Sequence, residues 1–528
     1  MIVEPWDAVY VGSGITALTH AALTVGRNPT LRVLILEQHD VAGGYATEFH
    51  RPKLGVQFDC SLHKLTGMGP QGNLRALFRE LGIEDKVRLC FPPTWFEVVT
   101  TSRLTLPEDP QATQLKLTRM FPAEEAALDR FFQEVGSYGR DSYMQFETLQ
   151  GNYEPDFKQL RWAHRNLKRL TVAEALQQRF SNRKLIEILA LPSIYVGCFP
   201  EQCAYLYYLH VVYASLFMRS AYLEGGSQHL SNLLVEKLRQ AGSEIRTGID
   251  VEQITMNSID GLMATGVVAG GQLIRCRRVY VNASPEHAMR DLLPNLNVLQ
   301  DARRRVSEQI PANSTSTIYL LLDTRPELIG LDSAETMVLT EDPEQAERAR
   351  ARARSSPTDA QFAEDAYWAR SSFEVTNYAL LSASGGNVVI VNVLDDVRHW
   401  PERKTPEYRA KKRRFVQVVL SRLFRVIPAM EPHVKYREAS TPRTCERYTR
   451  NKAGSGYGAL VSPGAAVGVS GTSFPIGNVS FLSAWVSGSG YEATMGYARL
   501  MARSVCTGRC TAKTGERSAQ QAGVGPCR

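Results

Sequence analysis

This 528-residue sequence predicts an α/β fold with a Rossmann-like dinucleotide-binding unit, on three observations. A short apolar strand runs straight into glycines at Asp7-Ala8-Val9-Tyr10-Val11-Gly12-Ser13-Gly14-Ile15-Thr16-Ala17. A second strand, Leu31-Arg32-Val33-Leu34-Ile35-Leu36, follows roughly twenty residues later and ends at the acid Glu37. Strand and helix patterns of the same kind return between Tyr222 and Ala283.

Each part of the first unit has a physical reason. Gly12 lets the chain turn sharply out of the strand, and Gly14 lets backbone approach a pyrophosphate with no Cβ in the way. Beyond Ser13, a helix opening at Ile15 and Thr16 offers unpaired N–H groups and a positive dipole end to that anion. Glu37 is placed to accept hydrogen bonds from ribose hydroxyls. Ala17 holds the third small position, where a methyl still permits close helix–strand packing. A bare G-x-G-x-x-A also serves as a tight turn; the flanking strands and the spaced acid favour dinucleotide binding.

After Glu37 comes Gln38-His39-Asp40-Val41-Ala42-Gly43-Gly44-Tyr45-Ala46-Thr47. The Gly-Gly pair lets backbone lie against a long cofactor a second time, which suits FAD better than NAD. The stretch from Asp7 to Gly69 resembles the flavin-binding start of the phytoene desaturase, carotenoid isomerase and retinol saturase family, within the wider group that includes the flavin amine oxidases. The resemblance implies FAD as cofactor. It places Gly12, Ser13, Gly14, Ile15, Thr16, Ala17, Glu37, Gln38, Gly43, Gly44 and Tyr45 around it.

Four later stretches resemble landmarks of the same family. Tyr222-Leu223-Glu224-Gly225-Gly226 matches a glycine turn before a helix, and Val251 stands where backbone holds the adenine side of FAD. Thr441-Pro442-Arg443-Thr444-Cys445-Glu446-Arg447-Tyr448-Thr449 with Gly454-Ser455-Gly456-Tyr457-Gly458 matches a segment beside the isoalloxazine. Phe481 to Met495 matches the closing strand, glycine turn and helix, with Ala484, Tyr491, Glu492 and Ala493 at the flavin. Backbone N–H groups near Glu492 and Ala493 are there expected to donate to the flavin carbonyl O2. Ser483-Ala484-Trp485 and Ser487-Gly488-Ser489-Gly490 depart from the family's usual Gly-Asp and Pro-Gly.

The similarity spans Asp7 to Ala502 and implies a discontinuous FAD-binding domain with an inserted α+β substrate domain. Residues 1–100, 218–290 and 440–505 are assigned to the first, and 101–217 and 291–439 to the second. Between 120 and 220 the apolar spacing is helical, starting from Phe121-Pro122-Ala123-Glu124-Glu125. Ser316–Leu322 and Val388–Val391 alternate or run apolar as strands do. A charged stretch near 340–370 is expected to be a surface helix or partly disordered. Residues 506–528, rich in Gly, Ser, Thr, Ala and Gln, are expected to form a disordered tail.

Bulk properties narrow the function. A chain 44% hydrophobic and 22% charged carries enough apolar material for two packed domains. No apolar run long enough to span a membrane is present, and a strand beginning at Asp7 leaves no room for a secretory signal, so a cytoplasmic location is expected. The net charge of +7 draws on local runs such as Arg348–Arg354 and Lys411–Arg414. Those runs are solvated helix faces or a weak attraction to an anionic membrane surface, the latter suiting a lipid-dissolved substrate. No nucleic-acid module is present, and oligomeric state is left open. Nine dispersed cysteines without paired zinc spacing point to reduced thiols and no metal site.

The first functional expectation is a FAD-dependent oxidoreductase acting on an apolar, conjugated small molecule such as a carotenoid or other polyene. Desaturation, saturation and double-bond isomerisation all fit, and the Phe-Asp strand with Gly14-Ile15-Thr16 leans towards the saturase and isomerase branches. The candidate acid or base is His63 in Phe58-Asp59-Cys60-Ser61-Leu62-His63-Lys64, with Lys64 and Tyr457 behind it and Asp59 as a loop brace. Tyr205, Tyr207, Tyr208, Val211, Tyr213 and Phe217 line a substrate tunnel or are plain core. Alternative readings are an amine oxidase and a non-catalytic FAD-binding scaffold.

Overall fold

A computed structural model describes residues 4–100, 102–257, 262–340, 342–355, 366–383, 385–464 and 474–506. The expected tail beyond Cys506 and the middle of the 340–370 stretch lie outside the described residues. What is described of that stretch is helical, Pro343–Ser355 and Ala366–Arg370.

Five parallel strands form the first sheet, in the order Val479–Phe481, Val279–Val281, Ala8–Val11, Val33–Leu36, Glu244–Arg246. Its central strands are apolar at every position because both faces are covered. Tyr10, Ile35 and Tyr280 face helices Ile15–Arg27, Gly226–Gln240 and Tyr491–Cys506, which pack there through Ala17, Leu18, Leu234 and Met495. Val9, Leu34 and Val281 face the other way, onto Ile254 and Val267 of a three-stranded antiparallel sheet. The discontinuity expected from the sequence is therefore present: this one sheet draws strands from both ends and the middle of the chain.

A seven-stranded sheet forms the second layer, ordered Val434–Ser440, Ser314–Leu322, Val388–Asp395, Phe373–Asn377, Glu335–Val338, Thr94–Val99, Arg103–Pro107. Neighbours are antiparallel except Glu335–Val338 beside Thr94–Val99. Thr94–Val99, which the sequence assigned to the first FAD-binding segment, thus pairs with strands of the inserted region. Ile318, Leu320, Val375, Val389 and Val391 cover one face and pack on Phe415, Val419 and Leu423 of helix Pro406–Val426. That helix starts where Thr405 accepts from Tyr408 N–H and Pro406 takes the first turn. The opposite face carries Thr317, Tyr319, Ile390 and Asn392 to a cavity.

Between residues 110 and 217 the chain is helical, as the spacing predicts. The helix starts are capped by Asp109, Asp156, Thr171 and Asn182, with a full capping box at Thr171 and Glu174. Two wide turns of π type, Val135–Gly139 and Tyr213–Phe217, pack beside each other. Gly139 is required there, since a Cβ would stand 2.7 Å from the Leu209 carbonyl oxygen. Among the described residues no helix is long and apolar enough to cross a membrane.

Asp395 anchors the second layer. Its fully buried carboxylate accepts from Trp400 Nε1 (2.9 Å), Trp368 Nε1 (3.2 Å), the Asp396 N–H (2.8 Å) and the Ser316 hydroxyl, and meets His399 Nδ1 at 2.5 Å. Replacing it by alanine orphans donors on three elements, strand Ser314–Leu322, helix Ala366–Arg370 and the turn after Asp395. Asp395→Ala is expected to cost about 3 kcal/mol or more, read as a lowered midpoint of chemical denaturation.

Candidate functional site

The glycine loop after the first strand is held from outside, because glycines bring no side chains of their own. Glu37, buried at the end of the second strand, accepts from Ser13 N–H (2.9 Å) and Ser13 Oγ (2.7 Å) with one carboxylate oxygen and from His39 N–H (2.9 Å) with the other. Gly14 N–H donates to Asn282 Oδ1 at 2.7 Å, while the Asn282 amide donates to the Leu482 carbonyl. Asn282 thereby ties the first glycine loop to the last one. The second glycine pair lies against the first: Gly44 has φ +64°, and a Cβ on it would sit 3.0 Å from Gly14 Cα.

Helix Tyr491–Cys506 opens beside this loop after Gly488 and Gly490, both with positive φ. Its first-turn N–H groups, at Tyr491, Glu492 and Ala493, have no intrahelical acceptor. The Tyr491 hydroxyl lies 2.9 Å from Ser61 Oγ, which donates to the Tyr45 carbonyl. Glu492 accepts from Thr66 Oγ1 (2.6 Å) and from the Tyr143 hydroxyl, and burial pushes its carboxyl up to about 7.

A single cavity of about 730 Å³ joins these parts. It runs from Gly12–Thr16 past Glu37, Gly43–Tyr45 and Val251 to Ala484 and Tyr491–Ala493, and on to a helical wall at Tyr207, Val211 and Ala214. Its volume falls in the usual range for small-molecule and cofactor sites. Nearly every expected residue stands on this wall. Val251 is brought there by backbone bonds from Gly248 N–H to the His39 carbonyl and from Ile249 N–H to the Glu37 carbonyl. Gln38 also lines it, with its amide donating to the Tyr448 carbonyl at 2.9 Å. Ala17 is the exception: it is fully buried between helix and sheet, because its role is packing.

His63 and Lys64 reach the cavity from the loop after strand Val56–Asp59. Asp59 braces that loop, accepting from Ser61 and Leu62 N–H and from Ser227. His63 Nε2 lies 3.6 Å from Glu374 Oε2, and burial holds the imidazole below its ordinary value. Lys64 spends its donors on Glu335, the Tyr195 hydroxyl (2.8 Å) and the Trp95 carbonyl (3.1 Å). Tyr195 in turn donates to Glu335 at 2.5 Å. Burial raises the carboxyls of both glutamates, that of Glu374 to about 7.

Sequence reasoning did not find Glu335, Glu374, Tyr195 or Asn282. Of the aromatic stretch it singled out, Tyr207 and Val211 line the cavity, whereas Tyr205 and Tyr208 point into the helical core and bond Glu134 and the Leu189 carbonyl. His210 joins the wall between Tyr207 and Tyr143, its imidazole lowered to about 4 by burial. Among the described residues no group of three His, Cys, Asp or Glu is arranged to hold a metal ion.

Two open helix starts, a buried acid between them and a doubled glycine cradle define a dinucleotide-binding oxidoreductase, and they fit a flavin dinucleotide. Residues 20–506 match the model of the family described as flavin containing amine oxidoreductase, and the chain belongs to that family. It is a flavin-dependent enzyme whose cofactor is FAD, as the glycine pattern and the resemblance implied. The all-trans-retinol 13,14-reductase of Danio rerio is 22% identical over 502 residues, covering 86% of this chain and 78% of that protein. The chloroplastic prolycopene isomerase of Arabidopsis thaliana is 23% identical over 471 residues, covering 86% and 74%. A solved structure of putrescine oxidase superposes with a TM-score of 0.60 at 16% identity, over 96% of this chain and 99% of that one, which shows the shared fold.

Glu37→Ala removes one acceptor set that both shapes the loop and faces the cavity. The variant is expected to bind FAD roughly 10- to 100-fold more weakly, the worth of a charged hydrogen bond. Flavin retained per protein on purification, with circular dichroism as the folding control, checks this.

Proposed function

We propose that this chain is a FAD-dependent oxidoreductase acting on an apolar polyene or isoprenoid, by saturation, desaturation or cis–trans isomerisation. One observation carries the reading: the cavity that begins at the dinucleotide loop continues without a break to a wall of Tyr207, Val211 and Ala214. An extended apolar molecule fits such a slot beside the cofactor. The retinol reductase and prolycopene isomerase relatives are named for polyene substrates, which supports the same class.

In this reading Gly12, Ser13, Gly14, Ile15 and Thr16 hold the pyrophosphate at the helix start, Glu37 and Gln38 the ribose, and Val251 the adenine side. Gly43, Gly44 and Tyr45 give the cofactor its second backbone contact. The N–H groups of Tyr491, Glu492 and Ala493, with Ala484, stabilise charge that builds on the flavin ring. Bound FAD supplies hydride acceptance and donation. His63 handles the accompanying proton: among the imidazoles on the cavity wall it is the one that follows the Phe58-Asp59 strand and meets a buried carboxyl, that of Glu374. Work at a membrane surface from the cytoplasmic side fits a net charge of +7 and a substrate that dissolves in lipid.

An anaerobic titration tests the proposal. Polyenes in detergent, retinol- and carotene-like, are added to the protein with oxidised and then with reduced flavin, and both absorption bands are followed. The expected result is a shift of the polyene spectrum, with bleaching or recovery of the flavin band if the reaction is a net redox one. Unmoved bands together with hydrogen peroxide formed from amines would replace this reading by an amine oxidase.

A further inference from the structure

Charge is concentrated where an apolar substrate gains nothing from it. On the cavity-facing side of the seven-stranded sheet, a row of polar residues crosses four strands. Glu335 pairs with Thr376, Glu374 with Asn392, and Asn392 with Thr317. Thr376 Oγ1 stands 3.4 Å from Glu374, and Thr317 Oγ1 2.9 Å from Asn392 Oδ1. Tyr195, Tyr378 and Tyr457 close round the row from other elements, and Asp59 stands behind the His63 loop.

The charges do not cancel one for one. Lys64 is matched by Glu335, with all three ammonium donors engaged. Lys64 also acts on Glu374 through space, while His63, 3.6 Å away, is the basic group in direct ion-pair reach of it. Glu374 is 5% exposed and does not reach the cavity, whereas His63 does. A proton held by this pair therefore enters or leaves through the imidazole. His63 Nε2 faces the acid, which leaves Nδ1 for the cavity.

We propose that Glu374 and His63 form a two-member proton relay, in which His63 exchanges a proton with substrate carbon and Glu374 stores and replaces it. The inference rests on the polyene reading above and deepens it. In the saturating direction the reduced flavin is oxidised and its hydride forms one C–H bond. The π pair of the C=C bond forms the other with the proton from His63. As Nδ1 gives up its proton, Nε2 takes the proton of Glu374 in the same step, so the imidazole stays neutral. Between turnovers a solvent proton enters at Nδ1 and Nε2 returns its proton to the carboxylate. Desaturation runs the same transfers backwards. Glu374 acts through His63 and is a positioning and proton-storing residue.

Glu374→Gln keeps the volume and the bonds to Thr376 and Asn392 but carries no exchangeable acid proton. Turnover is expected to fall roughly 100-fold, with FAD retention unchanged, and His63→Ala to fall by as much. The double variant is expected to be no slower than His63→Ala alone, and Glu374→Asp to recover part of the rate. Wild-type saturation should decline as pH rises through about 7, where the acid is lost, and Glu374→Gln should lack that limb. Independently of turnover, infrared spectra below this pH should contain the carbonyl stretch of a buried carboxylic acid that disappears in Glu374→Gln. A wild-type rate and pH profile in Glu374→Gln, additive losses in the double variant, or no change in the infrared band would each overturn the relay. Lack of polyene turnover with that band present would remove the substrate reading and leave the proton store standing.

Discussion

The buried carboxylate of Glu37 is the contact on which the site depends. A loop built from Gly12 and Gly14 can approach a phosphate because it has no side chains, and for the same reason it cannot hold itself in place. Glu37 supplies what is missing. Its two oxygens take the Ser13 backbone, the Ser13 hydroxyl and the His39 backbone, so strand, loop and following turn are fixed to one charged group. Hydrogen bonds to a carboxylate are shorter and stronger than neutral ones, which suits a single brace for three segments. Asn282 completes the arrangement by joining Gly14 to Leu482, two positions separated by most of the chain. The cavity has a defined shape because these two side chains close the loops around it.

A second constraint governs the other wall. The strands of the seven-stranded sheet alternate, so one face must meet helix Pro406–Val426 and the other must meet the cavity. The helix side is filled with valine, isoleucine and phenylalanine. The cavity side carries Glu335, Glu374, Thr376, Asn392 and Thr317, which is costly in a buried setting. Apolar residues of similar size would pack as well and stabilise more. Polar residues on this face are better explained by chemistry than by folding.

Much of the fold was legible because its signals are local. The strand–glycine–helix start, the acid after the second strand, the Gly43-Gly44 pair and the amphipathic helix at Gly226–Gln240 each declare themselves within a few residues. Tertiary context decided the rest. Thr94–Val99 has the pattern of any buried strand, and only its parallel pairing with Glu335–Val338 assigns it to the second sheet. Glu374 occupies a five-residue strand, Phe373–Asn377, and meets its partner His63 from more than half the chain away. Asn282 sits at the end of an ordinary apolar strand, with nothing nearby to mark it as a bridge. Glutamates and asparagines of this kind carry no spacing, so sequence periodicity passes over them.

The helical wall shows how one segment serves both core and site. Tyr205 and Tyr208 lie three apart on helix Tyr205–Val212 and stack at 5.9 Å, turned into the bundle where their hydroxyls are bonded. Tyr207 and Val211 lie four apart on another face of the same helix and line the cavity. The wide turn at Tyr213–Phe217 then adds a residue to the repeat, and Ala214 still lands on the cavity side. A helical wall of Tyr207, His210, Val211 and Ala214 therefore lines the same cavity as the cavity-facing side of the sheet. In the proposed reading, a conjugated chain in that cavity gains its binding energy from the helices, and the sheet side carries the proposed proton-bearing pair. On that proposal, separating binding from proton transfer by wall lets an apolar molecule meet acid–base groups without having to solvate them.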